Sequence, residues 1–243
     1  METKLKAGYE LTKVFSAIGH ITDEAMLYFK PSGLEIREMD NSSISMLSVA
    51  MQPSLLTEYV ANTEVKAGVN LENLNKMLKT LPKGAEFSMS VTDYSLDIKA
   101  ENKAFRVPLI EHIPKTEREP QVEFSTIIKL NVSMFKDILK DLSQIGTIAH
   151  INTNNTLISF DAEDDAGSIN NQYENLITKS TEPITNLCFN IAEMQKLIKE
   201  ADKKSTIELY LKNEQPLKVV YELAGQKIRG FLAPYIESED EDA

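Results

Sequence analysis

Residues 69–79, VNLENLNKMLK, return 120 positions later as residues 189–199, FNIAEMQKLIK. The second residue is Asn in both copies. The apolar positions coincide: Leu71, Leu74, Met77 and Leu78 in the first, Ile191, Met194, Leu197 and Ile198 in the second. Their i, i+3, i+6, i+7 spacing predicts an amphipathic helix with one buried stripe. Lysines occupy matched places on the other face, Lys76 and Lys79 against Lys196 and Lys199. The chain therefore reads as two similar halves, each burying one side of a helix and offering amines on the other.

Working outward, a second repeated helix precedes the first in each half. Residues 9–21 carry Leu11, Val14, Phe15, Ile18 and Ile21 on one stripe with Lys13 off it. Shifted by 124, Phe135, Ile138, Leu139, Leu142 and Ile145 repeat that stripe, with Lys136 and Lys140 off it. Short β-rich runs follow each helix. Residues 26–29 and 34–38 flank a Pro31-Ser32-Gly33 turn, and 45–51 follows a polar loop; 149–152 and 156–160 flank Thr153-Asn154-Asn155. Further strands are predicted over 86–91, 95–100 and 103–110, and over 206–211, 217–221 and 227–232. The order β, α, several β, α, several β, met twice, implies an α+β architecture of antiparallel sheets with segregated helices.

Between the halves, residues 111–123 (EHIPKTEREPQVE) hold two prolines, many charges and no periodicity, the composition of an extended linker. The expected organisation is an N-terminal domain over 1–112, a connector over 113–123, a C-terminal domain over 124–236 and an acidic tail over 237–243.

Composition narrows the function classes. The 243 residues are 42% hydrophobic and 26% charged, enough for two cores and a hydrated surface. No apolar run nears the roughly 20 residues that span a bilayer, and residues 1–10 have no hydrophobic signal core, so a soluble, unprocessed protein is expected. Cys188 is the single cysteine, which leaves no internal disulfide or thiolate cluster and reads as a small buried hydrophobe. The net charge of −11 opposes nucleic acid as a partner, but its distribution does not. Five acids in residues 237–242 belong to the tail; without them the acids fall from 37 to 32 and the net charge to −6. The four helical segments keep seven lysines against five acids, so positive charge is focused on the repeated helices of an otherwise DNA-repelling body.

Enzymatic constellations are sparse. His20, His112 and His150 lie far apart and off ligand spacing, and structural or surface roles suit them better. No phosphate-cradling glycine loop and no G-x-S-x-G elbow occurs. Residues 161–167, DAEDDAG, offer four carboxylates, Asp161, Glu163, Asp164 and Asp165, that could hold Mg²⁺ for phosphodiester chemistry. Their spacing misses the calcium-loop pattern and falls where a hairpin turn is expected, so a solvated turn is the better reading.

Four motifs, taken in order, then carry a family resemblance. These are residues 34–43, LEIREMDNSS; the helix entry Gly68-Val69-Asn70-Leu71; residues 141–146, DLSQIG; and the terminal residues 232–237, LAPYIE. Together with the duplication they resemble the sliding DNA clamps of the proliferating cell nuclear antigen family, of the archaeal kind, across essentially the whole chain. The resemblance implies the DNA clamp fold: three subunits in a ring, helices lining a central hole and sheets outside. It also implies a non-enzymatic processivity factor with no cofactor, which encircles duplex DNA inside the cell, on the chromosome, in an archaeal nucleoid or a nucleus. Lysines on inner helices then meet phosphates without reading bases, so binding is sequence-neutral and salt-sensitive.

On that resemblance the DNA-facing residues are Lys13, Lys76, Lys79, Lys136, Lys140, Lys196 and Lys199, with Lys83, Lys203 and Lys204 at helix ends. The partner pocket, for peptides of the Q-x-x-h-x-x-a-a (PIP-box) type from DNA polymerase, clamp loader, flap endonuclease and DNA ligase, takes Met39, Ser43, Ile44, Met46, Leu47, Val122, Phe124, Pro216, Phe231, Ala233, Pro234 and Ile236. Leu47 and Phe231 also suit an ordinary core. The family's ring joint pairs two edge strands, here 103–110 with Phe105, Val107 and Leu109 against 174–181 with Leu176, Ile177 and Thr178. Ser43 stands where animal members have His, and Glu117-Arg118-Glu119 replaces a more apolar linker stretch, which points to charge pairing with basic peptides. A homotrimer is expected; a subunit of a heterotrimeric or checkpoint ring is the alternative, and a nuclease built on Asp161 to Asp165 is a weaker one.

Overall fold

The computed structural model describes residues 3–115, 118–154 and 156–236. In chain order the elements are β1 (Thr3–Gly8), a 3-10 turn (Tyr9–Leu11) running into α1 (Thr12–Ile18), β2 (Glu24–Lys30), β3 (Gly33–Met39), β4 (Ser45–Met51), β5 (Glu58–Ala61), β6 (Val65–Asn70), α2 (Leu71–Leu78), β7 (Glu86–Val91), β8 (Ser95–Ala100) and β9 (Lys103–Pro108). After the connector come β10 (Thr126–Asn131), α3 (Val132–Leu142), β11 (Ile148–Thr153), β12 (Leu157–Asp164), β13 (Gly167–Glu174), β14 (Ile177–Ser180), β15 (Leu187–Asn190), α4 (Ile191–Leu197), β16 (Thr206–Leu211), β17 (Leu217–Leu223) and β18 (Gln226–Leu232). The two halves repeat one order of strands and helices without a missing member.

The duplication reaches single hydrogen bonds. Both repeated helices are shorter than the sequence pattern suggests, because Val69-Asn70 and Phe189-Asn190 finish the preceding strands β6 and β15. Each asparagine turns the chain from strand to helix as an N-cap: Asn70 Oδ1 accepts from the Asn73 amide at 2.9 Å and Asn190 Oδ1 from the Glu193 amide at 3.1 Å. A side-chain cap satisfies one of the amides left open at a helix start and is worth about 1 kcal/mol. The first helical amide is bonded in parallel fashion, Leu71 N to Asp23 O at 2.7 Å and Ile191 N to Thr147 O at 2.9 Å.

Helix pairs are tied in the same way. Asn75 Nδ2 of α2 donates to Phe15 O of α1, and Gln195 Nε2 of α4 donates to Leu139 O of α3, both at 3.2 Å. Residues 75 and 195 are equivalent in the repeat, so a polar side chain beside the apolar stripe has the same task twice.

By internal contacts the chain forms two compact units. The first comprises Met1–Glu119, Lys199–Asp202 and Val220–Gly230. It holds the antiparallel sheet β5-β1-β7-β8-β9 and, in a second sheet, the adjacent strands β18-β4-β3-β2-β6. Alternation is regular on half-covered strands, as in β1 and β2, where Leu5, Ala25, Leu27 and Phe29 are buried. β4 lies between β18 and β3, and Met46 to Val49 are buried on both faces. The stripes Val14, Phe15 and Ile18 of α1 and Leu71, Leu74 and Leu78 of α2 enter this core.

The second unit comprises Pro120–Ile198, Lys203–Val219 and Phe231–Ala243. It contains the sheet β13-β12-β11-β15 and the adjacent strands β14-β10-β16, with Phe135, Phe160 and Phe189 at the centre of the core. The strand expected over 174–181 is two strands. Glu174 ends β13, Asn175 takes a left-handed φ of 62°, and β14 begins at Ile177. The Asp161 to Gly167 stretch is the β12–β13 hairpin, as expected of a charge-rich turn: Asp164 Oδ1 accepts from the amides of Ala166 at 2.7 Å and Gly167 at 3.1 Å.

Candidate nucleic-acid and partner surfaces

All four helices bury most of the predicted apolar stripe, with Met77 and Ile145 only half-buried, and turn their lysines outward. Lys13, Lys76, Lys79, Lys140, Lys196 and Lys199 are exposed, Lys136 is half-buried, and Lys83, Lys203 and Lys204 are exposed beyond helix ends. Three of them pair with an acid one turn away: Lys76 with Glu72 at 2.7 Å, Lys196 with Glu193 at 2.6 Å, and Lys13 with Glu10. Such exposed, solvent-screened pairs add little to helix stability. They also damp the outward field, because a phosphate must compete with a carboxylate already in place.

The partner-pocket residues of the first unit centre on the β3–β4 loop. Asp40 builds it: Oδ1 accepts from the amides of Ile44 at 2.8 Å and Ser45 at 2.9 Å, and Oδ2 from Ser42 at 3.2 Å. The loop then presents Ser43, in a left-handed φ of 60°, and Ile44, 40% exposed, to solvent. Met39 is half-buried, whereas Met46 and Leu47 are core. Lys115 Nζ donates to the carbonyls of Asp40 and Asn41 and lies 3.5 Å from Ser43 Oγ. Asp40 and Lys115 organise this surface, and only the turn-forming Asp-Asn-Ser-Ser run hints at the first of them in the sequence.

In the second unit, Val122, Phe124, Pro216, Ala233 and Pro234 are half-buried and Ile236 is 83% exposed, while Phe231 is core at 3%. The Tyr235 amide donates to Cys188 O at 2.8 Å and pins the terminal segment. Cys188 is buried, as expected, but among polar groups, with Sγ 3.2 Å from His150 Nδ1 and 3.3 Å from Asn186 O.

The connector is clasped to the first unit at several points. The Ile110 amide donates to Gly68 O at 2.9 Å, and His112 Nε2 lies 3.0 Å from the buried Glu38 carboxylate, which also accepts from the Met26 amide. Burial pushes the Glu38 carboxyl above its ordinary pKa, and those hydrogen bonds oppose the shift. Glu119 Oε1 meets Arg229 Nε at 2.7 Å, and Arg229 Nη2 reaches Ser48 Oγ at 3.4 Å. Burial works to raise the Glu119 carboxyl, but hydrogen bonds from Ser48 and Arg229 and the charges of Arg229 and Arg37 outweigh it and hold the pKa below the ordinary 4.5.

Glu119→Gln therefore loosens the connector, and trypsin cleaves after Lys115 or Arg118 on the order of 10-fold faster, the effect of losing one charge-assisted hydrogen bond of ~1.5 kcal/mol. A depressed pKa contributes stability that is full above the unfolded value and lost as pH falls through the folded one. The difference in melting temperature between wild type and Glu119→Gln is thus constant above pH 4.5 and shrinks below it. Equal cleavage rates in the two proteins count against the clasp.

Of the positions predicted for a ring joint, Phe105 and Val107 lie on β9 and Ile177 and Thr178 on β14, while Leu109 and Leu176 fall just outside these strands. β9 ends the five-stranded sheet, with Phe105 and Leu109 half-buried and Val107 buried. β14 has β10 as its one neighbour; Leu176 and Ile177 are half-buried, and Thr178 is exposed with Oγ1 donating to Ile127 O at 3.1 Å. β13 is also an edge strand. The tail residues 237–243 and Glu117 lie outside the described residues.

Both halves of the chain are similar to known proteins. Residues 1–130 match the family model described as proliferating cell nuclear antigen, N-terminal domain, and residues 118–236 match that of the C-terminal domain. A curated relative named DNA polymerase sliding clamp, from Thermofilum pendens, is 24% identical over 233 residues, covering 92% of this chain and 94% of the relative. The structure titled C-terminal region of FEN-1 bound to A. fulgidus PCNA superposes with a TM-score of 0.89 at 23% identity, covering 98% of this chain and all of that one. The proliferating cellular nuclear antigen of Entamoeba histolytica gives 0.88 at 20% identity, covering 96% and 99%.

Proposed function

The chain belongs to the proliferating cell nuclear antigen family through both of its domain models, and on that premise we propose that it is a DNA polymerase sliding clamp. In this reading three copies close a ring around duplex DNA, on the chromosome within the cell. The domains are 1–112 and 124–236, joined by the connector 113–123. The observation that carries the reading is the repeat itself: capped, cross-tied helix pairs hold outward lysines at matched places in both halves. A surface so placed meets phosphates of either strand with no base contact, which permits sliding. Retention then comes from closure of the ring, so lysines partly neutralised by Glu10, Glu72 and Glu193 are sufficient.

The open strands β9 and β14 are suited to closing the ring by strand addition, with β13 as the neighbouring edge. Partner enzymes of replication and repair, the polymerase, clamp loader, flap endonuclease and ligase, dock by peptides of the PIP-box type. The clamp itself performs no chemistry. A nuclease at Asp161 to Asp165 is disfavoured, because Asp164 is spent on the hairpin turn and Asp161 accepts from Asn152, Ser159 and Asn170.

Light scattering of the purified chain is expected to give the mass of three copies, and the protein is expected to stimulate a polymerase on primed circular DNA but not on short linear templates, from which a ring slides off. A stable monomer, or equal stimulation on both templates, overturns the homotrimeric reading.

A further inference from the structure

The β3–β4 loop is held from two sides. From within, Asp40 closes it: its amide donates to Ser45 O at 2.9 Å, its carbonyl accepts from the Ser43 amide at 3.1 Å, and its carboxylate takes the amides of Ser42, Ile44 and Ser45. From outside comes Lys115, 72 to 75 positions further along the chain than the groups it meets. Its ammonium donates to Asp40 O at 2.8 Å and to Asn41 O, and stands 3.5 Å from Ser43 Oγ. Asp40 thus collects amides of the turn, and Lys115 collects its carbonyls. An ammonium offers three donors and no acceptor, which suits a turn whose oxygens converge on one place. The hold has a strained target. Ser43 keeps a left-handed φ of 60°, which a residue with a side chain retains only where its surroundings impose it. Next to it Ile44 projects, 40% exposed.

Asp40 belongs to the loop itself, but Lys115 belongs to the connector. Resting on the reading of this loop as part of the partner surface, we propose that Lys115 is a positioning residue that makes partner binding depend on a docked connector. With the connector in place, the ammonium fixes the turn and Ile44 stands ready for an apolar plug of the peptide. With the connector lifted, the carbonyls of Asp40 and Asn41 lose a donor, Ser43 relaxes out of the left-handed region, and Ile44 moves with it. A peptide must then order the loop as it binds, a cost that weakens affinity. The dependence runs both ways, because linkage is reciprocal: a peptide that binds the docked form better holds the connector down by the same factor. The contacts of Ile110, His112 and Glu119 described above serve the partner surface indirectly, by keeping Lys115 within reach.

The test pairs titration calorimetry with proteolysis of the full chain, using a peptide with a Q-x-x-L-x-x-F-F core. Lys115→Met keeps the aliphatic stem and removes the donors, whereas Lys115→Arg keeps donors and charge. Lys115→Met is expected to bind the peptide roughly 5-fold more weakly and Lys115→Arg about as well as wild type, the size of one charge-assisted donor lost at an exposed site. Ile44→Ala is expected to cost affinity in the wild type and much less in Lys115→Met, since a loose loop has already forfeited that contact. Saturating peptide slows trypsin cleavage after Arg118 in the wild type, and this protection falls by the same factor of roughly 5 in Lys115→Met. Unchanged peptide affinity in a folded Lys115→Met protein overturns the proposal. So does a loss that adds in full to that of Ile44→Ala, which puts Lys115 against the peptide itself. Failure of the wild type to bind the peptide overturns the reading of the loop as a partner surface, and this dependence with it.

Discussion

Gly33→Ala is expected to lower the melting temperature by on the order of 10 °C. Two costs coincide there. Gly33 follows the Pro31-Ser32 turn with φ +131°, a conformation that side chains other than glycine's hydrogen hardly ever adopt. An added Cβ also stands 2.0 Å from the Met51 carbonyl oxygen, a backbone atom of β4 in register with Leu34. The carbonyl belongs to β4, which is paired between β18 and β3 and cannot easily retreat, so conformational and steric strain add to about 4 kcal/mol. Gly225→Ala separates the two costs. Gly225 has φ +74° but nothing within 4 Å of a Cβ, so that variant bears the conformational term alone, ~1 kcal/mol. Equal losses in the two variants, measured by calorimetry, refute the steric half of the account.

The second large effect is functional. Changing Lys76, Lys79, Lys136 and Lys140 together to Ala is expected to reduce the amount of protein loaded on circular DNA by about 10-fold at 0.15 M salt, with assembly mass unchanged. Each lysine that contacts phosphate steepens the dependence of log K on log salt by ~0.9, so the variant also shows a shallower salt dependence. Lys76 contributes least, since its ammonium must first leave Glu72. Lys79 and Lys140, both exposed, contribute most. Identical loading across a salt series, in a variant that still assembles, removes the helices from the DNA-contacting surface.

How much of this was legible in the sequence follows from which interactions leave a periodic trace. The repeated helices were legible because burial of a stripe forces apolar residues to i, i+3, i+6 and i+7, and the halves were legible because the pattern came twice. Asn70 and Asn190 stood out as a matched pair, yet the sequence alone assigned them to the helix. Only the geometry shows the strand running through them to the cap. β6 and β15 were hidden for that reason, and β13, with its run Ser168 to Tyr173 of mostly polar residues, has no apolar alternation to betray it. The Lys115 and Glu119 clasps are single long-range ion and hydrogen-bond contacts, with Glu119 meeting Arg229 across 110 residues of chain. No local pattern encodes such a pairing.

The make-up of the first unit bears on how the chain folds as it is made. Its sheet includes β18, beside β4, and the hairpin Val220–Gly230 belongs to it although residues 120–198 and 203–219 of the second unit are synthesised before it. Until that hairpin leaves the ribosome, the emerging chain holds β4 with one hydrogen-bonding edge unmet, next to the apolar run Met46 to Val49. Vectorial synthesis therefore cannot finish the first unit first, and the nascent chain carries an open, sticky edge through most of its translation, a period in which chaperones have something to hold.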